Sequence, residues 1–434
     1  MRTTPCGHDD GSDVIVVGGG AAGLAAASAA ASDGATVTLV EREGHLGGIL
    51  QQCIHNGFGL HRFGEELTGP EYAARDARMV EADPSIRVLM DTSVLAVDGD
   101  DDAFDVTLVG PEVGMAHMSA RSVVFACGSR ERGRGAIGIA GSRPAGVYTA
   151  GSAQRLCNCD GALVGRRVVV LGSGDIGLIM ARRMTWQGAH VLMVCELASE
   201  PGGLRRNIAQ CLDDNSIPLH LSTTVTRVFG HDRLEAVEIA DVDPRTLVPV
   251  PGTERRVECD TLLLSVGLIP ENAVITATGA EIDQTTGGPA VDESLETSVP
   301  GVFVAGNELH VHDLVDFVSE EGGAAGHAAA AHALGDADRD AAPTWVRVTK
   351  GEGVGSLTPQ RLRDPADEVT LRLRVRSRMT DAVISIMSGD AVVKRVRKRV
   401  VVPSEMQTVR LTPADLAPVT GDLVVSCSER EGVE

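Results

Sequence analysis

The tightest constraint on this 434-residue chain is a pattern of strand, glycine loop, helix, strand and acid that occurs twice. Asp13-Val14-Ile15-Val16-Val17 is an apolar run that breaks into Gly18-Gly19-Gly20-Ala21-Ala22-Gly23. An alanine-rich helix follows, then a second strand from Thr36 to Val40, ending in Glu41-Arg42. In such a βαβ unit Gly18 permits the tight turn, Gly20 lets a pyrophosphate approach the backbone, and Gly23 lets helix and strand pack closely. The phosphates sit on the helix N-terminus, and Glu41 is placed to accept hydrogen bonds from an adenosine ribose. Five features in order carry the reading, since glycine is 50 of the 434 residues and G-x-G-x-x-G alone is weak.

The pattern returns at Val168 to Leu171, followed by Gly172-Ser173-Gly174-Asp175-Ile176-Gly177, a helix through Met184, and a strand from His190 to Cys195 ending in Glu196. A carboxylate there bonds both ribose hydroxyls and repels a 2'-phosphate, which favours NAD(H) over NADP(H). Arg205 and Arg206 follow closely, and could reach a 2'-phosphate instead.

Between the two units, strands are expected near Ile86–Leu89 and Phe104–Leu108, closing on Ser122 to Arg130. Asp260 to Gly267 reads as another buried strand with a glycine exit. Thr297 to Asn307 reads as a strand entering a helix from about Asp313 to Leu334. From Ala341 the period changes to two, as in Val369-Thr370-Leu371-Arg372-Leu373-Arg374-Val375-Arg376, which predicts one buried face and an arginine-studded face in solvent. Further runs at Ala382–Met387, Ala391–Val402 and Val409–Leu411 imply a small antiparallel sandwich. Charge agrees with a break near residue 340: residues 343–434 carry 15 basic and 12 acidic residues (+3), leaving 24 against 48 (−24) of the total −21. The acidic body argues against a nucleic-acid partner. No run is apolar enough to span a bilayer, the polar start from Met1 to Ser12 lacks the regions of a secretory signal, and nine scattered cysteines suggest reduced thiols. A cytoplasmic protein is expected.

Two dinucleotide units on one chain, with Ala126-Cys127-Gly128 and Gly306-Asn307 closing strands, resemble the two-dinucleotide-binding-domain flavoproteins of the pyridine nucleotide-disulfide oxidoreductase superfamily. The segments Gly47 to Gly59, Glu65 to Tyr72 and Ser173 to Leu178 are similar to a narrower branch. That branch comprises the NAD/FAD-dependent oxidoreductases associated with anaerobic-type glycerol-3-phosphate dehydrogenases, and the α-subunits of dye-linked amino-acid and opine dehydrogenases. The resemblance implies an α/β fold in which an FAD domain (12–155 and 269–340) is interrupted by an NAD(H) domain (156–268), with the all-β domain (343–434) added. It implies FAD on Gly18, Gly20, Ala22, Gly23, Glu41, Arg42, Gly47, Gly48, Gln52, Cys127, Gly128, Gly306 and Asn307. It implies NAD(H) on Gly172, Gly174, Asp175, Ile176, Gly177 and Glu196. Asn307 stands where the family has an aspartate that bonds a ribityl hydroxyl, and keeps that hydrogen bond without the charge.

The disulfide reductases place two cysteines four residues apart after the glycine pair. Here Cys53 stands alone with His55 nearby, which leaves a charge-transfer thiolate or acid/base couple, or simple packing. Leu156-Cys157-Asn158-Cys159-Asp160-Gly161 matches half of the thioredoxin-reductase motif. A Cys157–Cys159 ring would be strained, so two incidental thiols at an interdomain turn are expected. His310-x-His312 lacks a nearby third ligand in sequence, so no metal is expected, and a loop contact near the flavin is the better reading. With only Cys427 beyond residue 260, no iron–sulfur centre is expected either. The basic run Lys394 to Arg399 alternates with valines and reads as a solvated strand face that could dock an acidic partner. The function expected is an FAD-dependent oxidoreductase exchanging hydride between NAD(H) and flavin. Electrons would pass to a partner dehydrogenase or electron-transfer subunit that docks on the β domain. The alternatives are a thioredoxin-reductase-like enzyme and a non-catalytic scaffold that binds FAD and NADH.

Overall fold

The computed structural model describes residues 11–100, 103–335, 344–363 and 368–430. The chain forms two compact units, Met1–Ser129 with Pro270–Glu434, and Arg130–Ile269. The second unit therefore includes the stretch from Arg130 to Arg155 that was expected in the FAD domain. The break expected near residue 340 falls at 336–343, outside the described residues, as do Cys6 and most of the polar N-terminal stretch.

A seven-stranded sheet carries the first unit. Ser12–Val17 lies inside it, paired in parallel with Val37–Val40 and Gly114–Phe125, and Ile86–Leu89 extends the parallel set. Ala103–Gly110 and Ser93–Asp100 continue the far side as an antiparallel meander, while Val302–Val304 returns in parallel beside Gly114–Phe125. Val14 to Val17 are buried on both faces, which is why the run is apolar throughout and not alternating. Helix Ala21–Ser32 follows the glycine loop and is buried nearly all round. Its alanines, too weakly apolar for a bilayer, suit a different task, because they let helix Val315–Leu334 come very close. A Cβ at Gly322 would stand 2.2 Å from Ala22 O, and one at Gly326 would stand 2.2 Å from Ala26 O. Among the described residues no helix is long and apolar enough to cross a membrane.

The second unit has a five-stranded parallel sheet in the order Val147–Thr149, Thr261–Leu264, Arg167–Leu171, His190–Cys195, Leu219–His220. Helix Asp175–Trp186 packs on it through Leu178, Met180, Ala181 and Met184. A separate four-stranded sheet contains the hairpin Thr223–Gly230 and Leu234–Asp241.

The described residues of 344–430 form the expected sandwich around one core. One sheet has five strands, ordered Arg361–Leu362, Val346–Lys350, Leu423–Glu429, Met379–Ser388, Ala391–Val401; the other has Val354–Thr358, Val369–Val375 and Gln407–Leu411. Val346–Lys350 pairs with Leu423–Glu429 in parallel, so the sandwich is not purely antiparallel. A second departure bears on function. Leu371, Leu373 and Val375 face the core as the alternation predicts, but of the arginines opposite them only Arg376 is exposed, while Arg372 and Arg374 are partly buried. Arg374 ion-pairs with Asp313 and donates to Val311 O at 2.9 Å, and Arg372 Nη1 lies 3.4 Å from Glu321 Oε2. Arg363 pairs with Glu296 and, at 3.5 Å, with Asp292. Alternation reveals which residues share a face, and tertiary packing decides whether water or protein covers it. The basic strand Ala391–Val401 is outermost in its sheet, with Arg395, Arg397 and Arg399 exposed as expected.

Candidate functional site

In the first unit Glu41 is 5% exposed, its Oε2 accepting Gly19 N–H at 2.7 Å and its Oε1 accepting Glu43 N–H at 2.8 Å. A carboxylate has about four lone-pair sites, so it is pinned at the strand end and still able to accept from a ribose. Gly23 has no alternative, because a Cβ there would come 1.7 Å from Gly18 O. Gly20 differs. A Cβ there would meet no protein atom within 4 Å, and its φ of −79° suits any residue, so the protein itself does not require glycine at that point. A pyrophosphate approaching the backbone does, and in this respect the loop fits a dinucleotide.

Gly47 N–H donates to Gly19 O at 2.8 Å, which brings the glycine pair over the loop, and Gly48 starts the 3₁₀ turn Gly48–Gln52. Gln52 is buried and Arg42 is exposed. Cys53 follows, half-buried, its thiol donating to Ile49 O at 3.3 Å, and His55 Nδ1 lies 3.0 Å from Asn56 O. Cys53 thus caps a short turn that ends before it.

The Ala126–Gly128 turn meets the same loop, since a Cβ on Gly18 would be 2.5 Å from Ala126 O. Cys127 N–H donates to Glu308, a fully buried residue whose Oε1 has no hydrogen-bond partner. Burial pushes the Glu308 carboxyl up to about 8, so it is a neutral acid at pH 7. Sequence reasoning missed Glu308, although an acid directly after Gly306-Asn307 is a visible signal.

Glu321 was missed as well. Its Oε1 accepts from Gly306 N–H at 2.9 Å and lies 2.9 Å from His312 Nε2, while its Oε2 lies 2.8 Å from His310 Nε2 and 3.4 Å from Arg372. Burial opposes its ionisation, but the charge and hydrogen bonds of the two imidazoles outweigh that and hold the carboxyl well below the usual range. The helical spacing of Glu321, Ala325 and Ala329 put it on the buried stripe of its helix. His312 N–H donates to Asn307 Oδ1 at 3.1 Å, so the side chain expected to meet a ribityl hydroxyl also holds this loop. The structure thus corrects the premise that the His-x-His pair has no third group nearby, for the three side chains place ligand atoms within 4.8 Å of one another. The carboxylate already accepts three hydrogen bonds and faces a guanidinium that repels a cation, so the group reads as a hydrogen-bonded ion cluster.

In the second unit Glu196 repeats Glu41, its Oε2 accepting Ser173 N–H at 2.8 Å and its Oε1 accepting Ala198 N–H at 2.9 Å. Gly172 N–H bonds Cys195 O, and a Cβ at Gly177 would stand 2.7 Å from Gly172 O, so the turn and the helix start match the expectation. Ile176 lies in the first turn of that helix. Asp175 is turned inward, its Oδ1 holding Leu204 N–H at 2.8 Å and Asn207 Nδ2 at 2.7 Å. Cys157 is not in a turn; it lies in helix Ala150–Asn158, buried, its sulfur 3.7 Å from that of Met184. Cys159 caps the helix, and both thiols are free.

A family model described as "Pyridine nucleotide-disulphide oxidoreductase" matches residues 12–335. The small chain of glutamate synthase [NADPH] from Mycobacterium tuberculosis is 27% identical over 348 residues, covering 73% of this chain, which spans 65% of that relative. One of the subunits of opine oxidase from Agrobacterium tumefaciens is 27% identical over 215 residues, 45% of this chain and 40% of its own. The fold is that of the thioredoxin reductase of T. acidophilum, at a TM-score of 0.60 and 24% identity, over 76% of this chain and 99% of the other. With 324 residues inside the family match (335 − 12 + 1), this chain belongs to the pyridine nucleotide-disulphide oxidoreductase family, oxidoreductases that bind FAD and NAD(P)H.

Proposed function

We propose that the chain holds FAD in its first unit and NADH in its second, and passes electrons onward to a partner subunit. The observation that carries this is the pair of complete cradles, each with a glycine loop and a pinned carboxylate at the ribose end. When bound, the two cofactors supply hydride transfer between nicotinamide C4 and flavin N5. The protein supplies the rest. Gly18 to Gly23 and Gly172 to Gly177 take pyrophosphates, and Glu41 and Glu196 take ribose hydroxyls. Cys53 and His55, on the loop that leaves Gly47-Gly48, are the acid/base or thiolate candidates. Glu308 holds a proton next to the Ala126–Gly128 turn. NADH over NADPH follows from Glu196, whose charge opposes a 2'-phosphate. Two of the relatives are named as parts of larger enzymes, a glutamate synthase and an opine oxidase, which supports an assembly. A glycerol-3-phosphate or amino-acid dehydrogenase chain is the fitting partner. The edge strand Ala391–Val401 is its proposed docking site.

An anaerobic titration of the FAD-loaded chain with NADH, then NADPH, tests this through loss of oxidised-flavin absorbance. Bleaching by NADH first is the expected result; FAD that neither nucleotide bleaches leaves the scaffold reading. A disulfide-reductase reading draws on the fold, but the helical, inward-facing Cys157 opposes it.

A further inference from the structure

The two cradles repeat each other beyond the glycine loop and acid. After Glu41 the chain reaches Gly47-Gly48 at the sixth and seventh positions; after Glu196 it reaches Gly202-Gly203 at the same two. The hydrogen bonding in between is copied. Glu41 N–H meets Leu89 O as Glu196 N–H meets His220 O, each at 2.8 Å. Thr92 N–H returns to Glu41 O as Thr223 N–H returns to Glu196 O, and Asp91 and Ser222 share a positive φ of 50° and 47°. The glycine pairs then come back over their loops. Gly47 N–H bonds Gly19 O at 2.8 Å; Gly202 N–H bonds Ser173 Oγ at 2.9 Å. A Cβ on Gly48 would lie 3.2 Å from Gly20 Cα, and a Cβ on Gly202 would lie 3.9 Å from Gly174 N, although only the first pair has positive φ.

This repetition explains Asp175. Its carboxylate is used to hold Leu204 N–H and Asn207, which fixes the glycine turn against the loop. Gly203 is packed shut, with a Cβ meeting Leu178 Cδ1 at 2.6 Å and Ser173 O at 2.8 Å, but Gly202 is not: its Cβ would have no atom nearer than 3.9 Å. With a φ outside the left-handed region as well, Gly202 has no reason within the protein to be glycine.

We infer that the Pro201–Gly202–Gly203–Leu204 turn is the second wall of a pyrophosphate site in the Arg130–Ile269 unit, closing over the diphosphate while Glu196 takes the ribose diol. Its ligand is the ADP half of an adenine dinucleotide with a free 2'-hydroxyl, and Asp175 and Ser173 are the positioning residues of the turn. The inference rests on the reading that this unit takes a dinucleotide.

The test is Gly202→Ala in the full, FAD-loaded chain, titrated calorimetrically with ADP-ribose, NADH and AMP. The dissociation constants for ADP-ribose and NADH should rise roughly tenfold, while AMP, which has no pyrophosphate, binds as before. Asp175→Ala removes the carboxylate that holds Leu204 N–H without adding volume or touching Glu196, and should give the same selective loss if the Gly202→Ala variant does not fold. Unchanged ADP-ribose binding in both variants, or an equal loss for AMP, overturns the inference. Displacement of ADP-ribose by NADH with one FAD per chain names the nicotinamide dinucleotide as occupant; two FAD per chain with no displacement names a flavin dinucleotide. NADH that binds through the turn but fails to bleach the flavin defeats the proposed function and leaves this inference standing.

Discussion

Glu308→Gln isolates a buried proton. In the folded chain burial raises the Glu308 carboxyl from 4.5 to about 8, so the native state holds a proton that the unfolded chain releases. Between those values the native state binds more protons, and stability falls as pH rises. The contribution is fully present below about 4.5 and is lost by about 8. A 3.5-unit difference sets a ceiling of about 5 kcal/mol, and relaxation of the site makes about 2–3 kcal/mol the working figure. Glutamine keeps a carbonyl for Cys127 N–H and cannot ionise. The assay is thermal melting of the FAD-free wild type and variant from pH 4.5 to 9. Asp76, raised by burial to about 6, and Asp292, raised to about 7, lose stability in the same direction, so the difference between the two proteins is what counts. At roughly 1–2 °C per kcal/mol for a chain of this size, the wild type should fall several degrees relative to the variant across that range. Parallel curves would refute a neutral Glu308.

Arg372→Met leaves the Glu321 carboxylate buried with its two histidines and one charge fewer; breaking such a pair costs about 3 kcal/mol, so melting should drop by several degrees, with Arg372→Lys recovering part. An unchanged melting temperature would return that arginine to solvent. Gly23→Ala places a Cβ 1.7 Å from Gly18 O, and the purified chain should contain little or no FAD by absorbance. Cys157→Ser and Cys159→Ser should bleach with NADH as the wild type does; a loss of flavin reoxidation by a disulfide substrate in either would revive the disulfide-reductase reading. Edge-strand charge reversal at Arg395, Arg397 and Arg399 should leave bleaching intact and weaken partner association, read by co-purification with the co-expressed partner chain.

Both dinucleotide units were legible in the sequence because their signals are local. The run Val14 to Val17, the glycines after it and the acid at the strand end lie within about 30 residues, as backbone geometry and phosphate chemistry require. The strand at Val302–Val304, the helix to Leu334 and the period-two sandwich were likewise written in short-range patterns. Tertiary structure decided what faces what. Arg372 and Arg374 share the alternation of any half-exposed strand, and only the fold sets them on Glu321 and Asp313, more than 50 residues earlier in the chain. His310 and His312 look alone until a helix turn brings Glu321 between them, and Cys157, expected in a turn, lies in a helix with its sulfur against Met184. Glycine in the sequence marks a constraint without naming its source. The structure separates Gly23 and Gly322, where protein backbone demands the missing side chain, from Gly20 and Gly202, where nothing in the protein does. The reason is physical: local propensity and periodicity are properties of a segment, whereas burial, pairing and the direction of a pKa shift depend on what other segments bring to the same place.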